Sequence, residues 1–241
     1  ENCTTHKPIF DYTTKTTSLT IGNTVQNIDD YVFYGMNIEE ITIPSSVNSI
    51  EKFAFANSTP LKNIDIQSNS NIKIDNSAFN NTTWFNSQNN NIIYIDNIAF
   101  KYIGKENPKS ITIKEGTTAI ASNFMLNNTN LQQIELPQSL SSIGPNAFAG
   151  CSNLKTIKFP NSLNSIYESA FANCSAIKTL LVDTCVGNIG QYAFQNCSSL
   201  ENVTIKNNGT IGLQAFESSS TEKPATYVIS NIGLIDESAF A

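Results

Sequence analysis

Along this chain an isoleucine is followed five residues later by a phenylalanine, again and again. Nine pairs fit: Ile28/Phe33, Ile50/Phe55, Ile74/Phe79, Ile95/Phe100, Ile143/Phe148, Ile166/Phe171, Ile189/Phe194, Ile211/Phe216 and Ile235/Phe240. Ile120/Met125 is a tenth, with Met in place of Phe. The residue just before the Phe is Ala in most copies, as in Ala147-Phe148 and Ala170-Phe171. Successive Phe or Met positions lie 22, 24, 21, 25, 23, 23, 23, 22 and 24 residues apart. One small unit at such a period predicts a solenoid. Each coil then buries its apolar side on its neighbours, and the core grows by addition rather than around one centre.

The clearest coils start at Leu131 and Leu154. In the first, Ile134-Glu135-Leu136 alternates apolar, polar, apolar, which predicts a short strand with one buried face. Ile41-Thr42-Ile43, Ile64-Asp65-Ile66, Ile111-Thr112-Ile113, Ile157-Lys158-Phe159, Leu180-Leu181-Val182 and Val203-Thr204-Ile205 repeat it. Leu19-Thr20-Ile21 and Tyr227-Val228-Ile229 open and close the series. Pro44, Pro137 and Pro160 directly follow three of these runs. Proline lacks an N–H, so it ends ladder pairing and turns the chain. Ile143 is expected in a second, shorter strand. The Ala-Phe-x-x-Cys stretch, with neighbours at i and i+3, suits a helical turn that seats the Phe as the large core filler. The same strand in every coil should stack into a parallel sheet.

The rhythm stumbles once. Phe79 and Met125 stand 46 residues apart, two periods, and between them lie Trp84, Phe85 and a run of Asn. Ile92 to Ile95 and Ile98 to Ile103 read as two strands around a tight turn at Asp96-Asn97, a pair that tolerates the positive φ such a hairpin needs. The expected organisation is an N-terminal cap or linker over residues 1–18 and a solenoid over 19–241, with a hairpin-bearing insertion at about 80–110. Trp84 and Phe85 could project as a contact point, or Trp84 could close a hole over the irregular coil, as the usual burial of Trp favours.

The full figure is Leu-x-x-Ile-x-Ile-Pro-x-Ser-Leu-x-x-Ile-x-x-x-Ala-Phe-x-x-Cys-x-x. It resembles the leucine-rich repeats, in the subclass of BspA-like bacterial surface proteins. It departs from the usual signature in preferring Ile to Leu and in lacking a regular Asn ladder after the strand. The resemblance implies an α/β-type or mostly-β right-handed horseshoe with parallel strands on its concave face, and a Trp-bearing interruption is common there. It also implies a non-enzymatic, adhesin-like binding module, secreted to the extracellular side or the bacterial cell surface. Its partners would be proteins, such as the extracellular-matrix and plasma proteins fibronectin and fibrinogen, or other cells. A structural spacer in a larger surface protein, with no ligand of its own, suits an Asn- and Thr-rich chain equally.

Composition narrows the chemistry further. Lys and Arg number 14 against 20 Asp and Glu, for a net charge of −6, and only 14% of residues are charged. Such a surface is polar but mostly neutral. It carries no basic patch to neutralise phosphates, which argues against nucleic acid. No apolar run approaches the ~18 residues that span a bilayer. No signal peptide is present, and a chain opening on Glu1 leaves room for one already removed. Of five Cys, Cys151, Cys174 and Cys197 share one repeat position, and Cys3 and Cys185 lie outside that register. The three in register read as buried, stacked thiols packing as small apolar groups. There is no Cys-x-x-Cys and the one His is His6, so neither a metal nor another cofactor is expected. A nucleophile–base arrangement would depend on His6 alone. Asp29-Asp30 and Glu39-Glu40 are adjacent pairs, which a strand points to opposite faces. Sequons at Asn57, Asn81, Asn173, Asn196, Asn202 and Asn208 arise readily in an Asn-rich chain. Glycans on Asn173 and Asn196 would crowd the cysteines, which argues against a glycosylating pathway. The chain stops at Phe240-Ala241, partway through a repeat, which predicts a further cap, or a second copy packed there, and a longer surface protein.

The residue at the centre of each alternating run should point away from the core. In order these are Thr20, Thr42, Asp65, Thr112, Glu135, Lys158, Leu181, Thr204 and Val228. Thr42, Asp65, Thr112, Glu135, Lys158, Leu181 and Thr204 are the candidate binding row, with Trp84 and Phe85 as a candidate contact on the insertion. The row lacks the clustered Trp, Tyr or Arg of a strong hot spot. It reads either as solvent-facing strand formers, a role Thr favours, or as a shallow, low-charge face for protein or glycan.

Overall fold

Strands form where the alternation is. The computed structural model of the protein describes residues 19–67, 72–182, 187–206, 209–219, 226–230 and 232–241. Cys3, His6, Cys185, Asn208 and the expected cap over 1–18 lie outside them. The longer strands are β2 (Glu40–Ile43), β4 (Asn63–Ile66), β8 (Ser110–Thr112), β10 (Gln133–Glu135), β13 (Thr179–Val182), β15 (Asn202–Lys206) and β17 (Thr226–Ser230). The two-residue strands are β1 (Asn27–Ile28), β3 (Ser49–Ile50), β5 (Lys73–Ile74), β9 (Ala119–Ile120), β11 (Ser142–Ile143), β12 (Ser165–Ile166), β14 (Asn188–Ile189), β16 (Thr210–Ile211) and β18 (Leu234–Ile235). Within each series, strands of adjacent coils pair in parallel, as in Ile41↔Ile64, Ile111↔Ile134 and Ile143↔Ile166, with breaks between β4 and β8, β10 and β13, and β5 and β9. The protein is a parallel β-solenoid with little helix among the described residues.

Two expected strands are not formed. Leu19 to Ile21 is irregular, and Ile157 to Phe159 contributes only a bridge between Thr156 and Gln133. Pro160 removes the next N–H there, as Pro44 and Pro137 do after runs that pair. The Phe159 ring packs edge-on against Phe171 and Phe194, at centroid distances of 5.7 and 6.5 Å, and is bulkier than the Ile or Leu of other coils.

The stretch around each Phe does not become a helix. Among the described residues the one helix is α1 (Thr83–Asn86). Two left-handed residues flank the Phe instead. Two positions after it stand Gly35, Asn57, Asn81, Asn127, Gly150, Asn173, Asn196 and Ser218, all with φ between 51 and 72°. Two positions before it stand Tyr31, Phe53, Asn123, Asn146, Ser169, Tyr192, Gln214 and Ser238, with φ between 50 and 61°. An α-helix cannot run through such residues, and Gly and Asn adopt them with least strain. This is the physical source of much of the asparagine. Backbone N–H groups of the turn donate to the next coil: Asn146 to Glu168 O (3.0 Å), Phe148 to Ala170 O (2.8 Å) and Gly150 to Ala172 O (2.8 Å). The turns thus make a third hydrogen-bonded ladder beside the two strand series, which satisfies the backbone where no strand exists.

Inside, the phenylalanines stack. Phe148, Phe171, Phe194, Phe216 and Phe240 form one column, with ring centroids 5.2 to 5.5 Å apart and planes within 11°. Phe33, Phe55 and Phe79 form another. The columns are separated by the hairpin of β6 (Ile92–Ile95) and β7 (Ile98–Tyr102), whose turn holds Asp96 at φ 50°. Phe100, carried on β7, meets Phe79 nearly edge-on at 67°. The coils on either side are stitched across the hairpin. Ser122 N donates to Ile74 O (3.0 Å) and Asn123 Nδ2 to Asp75 Oδ2 (3.1 Å).

Candidate functional site

Thr20, Thr42, Asp65, Thr112, Glu135, Lys158, Leu181 and Val228 are exposed, and Thr204 is half-buried. The register brings them together in three groups rather than one row. Thr42 lies opposite Asp65, Thr112 opposite Glu135, and Leu181, Thr204 and Val228 line up across β13, β15 and β17. These groups sit in three separate sheets. The hairpin interrupts the first gap: Asp96 Oδ2 accepts from Ile66 N of β4 (3.0 Å), and Tyr94 Oη accepts from Lys114 N beyond β8 (3.1 Å). Lys158 rides on the run that fails to pair. Glu135 accepts from Thr112 Oγ1 (2.8 Å), so hydroxyl and carboxylate hold each other across the ladder.

The first group does more than expose two side chains. Around it lies a depression of about 550 Å³ lined by Leu19, Thr20, Ile21, Asn23, Glu40, Ile41, Thr42, Pro44, Asn63, Ile64, Asp65 and Gln67. Buried Ile41 supplies an apolar floor. Glu40 and Asp65 supply negative charge, and Asn23, Asn63 and Gln67 supply amides that both donate and accept. Just outside, exposed Lys62 pairs with Glu39 at 2.7 Å, and this hydrogen bond holds the Glu39 carboxyl below its ordinary pKa. Exposed pairs of this kind add little stability. The depression is open, and its charged lining is acidic.

Trp84 and Phe85 sit on α1, whose first turn is capped by Thr82 Oγ1 accepting from Phe85 N at 3.0 Å. Trp84 is half-buried and packs on Phe79 and Phe100, at 5.8 and 6.0 Å, over the break between the two columns. Phe85 takes the Lys101 ammonium 5.0 Å above its ring. It also borders a second recess, of about 340 Å³, lined by Tyr34, Phe53, Ala56, Asn57, Asn80, Asn81, Phe85 and Lys101. Reading the alternating runs alone misses this recess. Its signal was the turn: aligning the coils on their Phe puts Tyr31 and Phe53, in two successive coils, where most others carry Asn, Ser or Gln and only the coil of Phe194 carries a ring, Tyr192.

The three thiols in register are free and buried. Each donates to the carbonyl of the core residue one coil earlier: Cys151 to Met125 O (3.4 Å), Cys174 to Phe148 O (3.2 Å) and Cys197 to Phe171 O (3.3 Å). Ser58 does the same to Phe33 O (3.1 Å). The position is therefore a cross-coil donor, not only a small filler. Burial pushes the Cys151 and Cys197 thiols up to about 12, and Cys174 well above its ordinary value. A thiol so held is a poor nucleophile. Among the described residues no group of three His, Cys, Asp or Glu could hold a metal, and no helix is long and apolar enough to cross a membrane.

The sequence profile described as BspA type Leucine rich repeat region (6 copies) matches residues 4–127 and 118–241. Among solved structures, the chain is similar to a leucine rich cell surface protein from Faecalibacterium prausnitzii A2-165, at 22% identity and a TM-score of 0.50, over 92% of this chain and 55% of that one. It is also similar to the pneumococcal vaccine antigen PcpA, at 22% identity and a TM-score of 0.49, over 90% of this chain and 62% of that one. A leucine-rich repeat protein from Eubacterium ventriosum ATCC 27560 gives 22% and 0.48, over 93% of this chain and 64% of that one. The chain thus spans less than two thirds of the length of each, and at such identity the likeness concerns the fold. No curated protein matches the sequence.

Proposed function

The chain belongs to the BspA-type leucine-rich repeat family, and from that membership we propose that it is an adhesin-like, non-enzymatic binding module displayed outside the cell. Its partners are proteins of the extracellular matrix or plasma, fibronectin and fibrinogen first, or the surfaces of other cells. The depression at Thr42 and Asp65 carries this reading. It offers carboxylates and amides on a floor of paired strands, and side chains fixed on strands present a more precise surface than side chains on loops. Its acidic character selects a segment bearing Lys, Arg or hydroxyls. Thr112, Glu135, Lys158 and Thr204 extend the contact along the same side, and Leu181 and Val228, 48% and 51% exposed, add an apolar end. The description of the Faecalibacterium prausnitzii neighbour as a cell surface protein supports the outward location.

Biolayer interferometry against immobilised fibronectin and fibrinogen tests the reading. The protein should bind saturably, and Asp65→Lys with Thr42→Arg should weaken binding by about tenfold, a loss of roughly 1.4 kcal/mol. Separated groups of small polar residues are also what a spacer would show. Absence of saturable binding at micromolar protein, or a double variant that binds unchanged, would favour the spacer and defeat the reading.

A further inference from the structure

We infer that the recess between Tyr34, Phe53, Phe85 and the Asn57–Asn81 amide pair is a carbohydrate site that takes one pyranose ring of a surface glycan. It shares no lining residue with the Thr42–Asp65 depression and stands independently of the reading given for that depression.

Three observations converge. The first is composition. The recess is lined by three half-buried aromatic rings, three Asn and one Lys, with no carboxylate. A sugar has apolar C–H faces that pack on aromatic rings, and hydroxyls that donate and accept at once. Aromatic walls with amide edges match both. At about 340 Å³ the recess lies at the small end of ligand pockets. A protein partner would ordinarily need about 800 Å² of surface on each side.

The second is a relay of amides. Asn81 Nδ2 donates to Asn57 Oδ1 at 2.8 Å, and Asn57 Nδ2 donates to Tyr34 Oη. Each link fixes the next and polarises it. The chain ends in a hydroxyl that can donate, at Tyr34, and an amide oxygen that can accept, at Asn81. Each end can engage a different hydroxyl of a sugar ring. Lys101 Nζ donates to Asn76 O (3.0 Å) and Asn80 Oδ1 (3.1 Å), which turns the Asn80 NH2 end away from the ammonium. Burial lowers the Lys101 pKa, and the group still keeps its place over Phe85.

The third is the backbone. Phe53 and Tyr31 sit at left-handed φ of 57 and 61°, and their rings stack at 5.1 Å. Bulky side chains are strained there. Asn123, Asn146 and Ser169 occupy the same place in other coils and Tyr192 in one more, so the fold accepts a ring there without requiring it. What sets Phe53 apart is that its ring both stacks on a neighbouring ring and lines a recess.

The test is saturation-transfer difference NMR on the whole chain. The probes are methyl glucoside, methyl galactoside, methyl mannoside, N-acetylglucosamine and N-acetylgalactosamine, each titrated through the millimolar range. At least one should saturate. Phe53→Asn installs the residue the turn prefers and removes a wall, so it should keep or raise the melting temperature while weakening that sugar by about tenfold. Asn81→Gly keeps the left-handed turn and cuts the relay, and should weaken it several-fold. If no probe saturates, or if both variants bind as the parent does, the inference is overturned. A Phe53→Asn protein that unfolds leaves Asn81→Gly to decide.

Discussion

Phe171→Ala is the sharpest test of the stacked core. The ring is fully buried and lies between Phe148 at 5.3 Å and Phe194 at 5.5 Å, with Phe159 edge-on at 5.7 Å. Removing a core Phe costs about 3–5 kcal/mol in lost transfer energy and cavity. Loss of three ring contacts, each worth roughly 0.5–1.5 kcal/mol, places this site at the top of that range. A urea slope of about 3 kcal/mol per molar then gives a midpoint lower by roughly 1.5 M. The control is Phe240→Ala. That ring is half-buried, with one stacked neighbour, Phe216 at 5.2 Å, and one edge contact, Tyr227 at 5.0 Å. With about half the contact it should cost about 2 kcal/mol. Urea titration followed by far-ultraviolet circular dichroism reads both. In a solenoid, stability is a sum of coils and interfaces, so losing a ring stacked on both faces strikes two interfaces and losing one stacked on Phe216 alone strikes one. If Phe171→Ala costs under about 1 kcal/mol, or no more than Phe240→Ala, the column does not carry the core and the argument fails.

Two further outcomes follow from the turns and the thiols. Asn173 holds φ 60°, so Asn173→Ala should lower stability by about 1 kcal/mol and Asn173→Gly should be near neutral in the same titration; equal losses would remove the left-handed explanation. The thiols have folded pKa values raised above an ordinary 9.0, to about 12 for Cys151 and Cys197. The unfolded chain therefore releases these protons first. Their stabilisation is whole below about pH 9 and falls as pH rises toward about 12, by roughly 1.4 kcal/mol per unit for each thiol. Replacing Cys151, Cys174 and Cys197 together by Ser, as Ser58 already stands in its coil, should flatten that alkaline fall in urea midpoints measured across pH; an unchanged fall would place its cause elsewhere.

The solenoid was legible because its two strand series rest on side-chain alternation, which the chain states directly in Ile41-Thr42-Ile43 or Ile134-Glu135-Leu136. The turns were misread for a related reason. Spacing of Phe148 and Cys151 at i and i+3 fits a helix and an isolated turn alike, and only the Asn or Gly between them separates the two. The division of the candidate row into three groups rests on a longer-range fact. Which strands neighbour which depends on where the hairpin turn, through Asp96, seats against β4, and no local pattern carries that. Lys158 shows the same limit. Its run alternates as well as any other, yet only the preceding Thr156 bridges to the ladder; Pro160 does not account for this, since Pro44 and Pro137 follow runs that pair.

The asparagines bind these threads into one argument. A coil that turns twice through left-handed φ selects Asn or Gly two places after its Phe. The next residue is a buried donor: Ser58, Cys174 and Cys197 donate to the coil before, and Thr82 to Phe79 O of its own coil. Ser or Thr follows at Thr59, Thr83, Ser175 and Ser198. Asn57, Asn81, Asn173 and Asn196 thus head sequons because the turn needs a left-handed residue and the core needs a donor after it. Their side chains then meet coil to coil: Asn196 Nδ2 donates to Asn173 Oδ1 at 3.0 Å, as Asn81 does to Asn57. At Asn173 and Asn196 this is a structural rail and nothing more is built on it. At Asn57 and Asn81 the rail runs into Tyr34 beside Phe53, a ring at a strained position that most other coils fill with Asn, Ser or Gln. The repeat explains the rail in both places. Tyr192 shows that a ring at that position is not by itself a site. What singles out the one recess is that its rail ends on the Tyr34 hydroxyl, between the Phe53 and Phe85 rings.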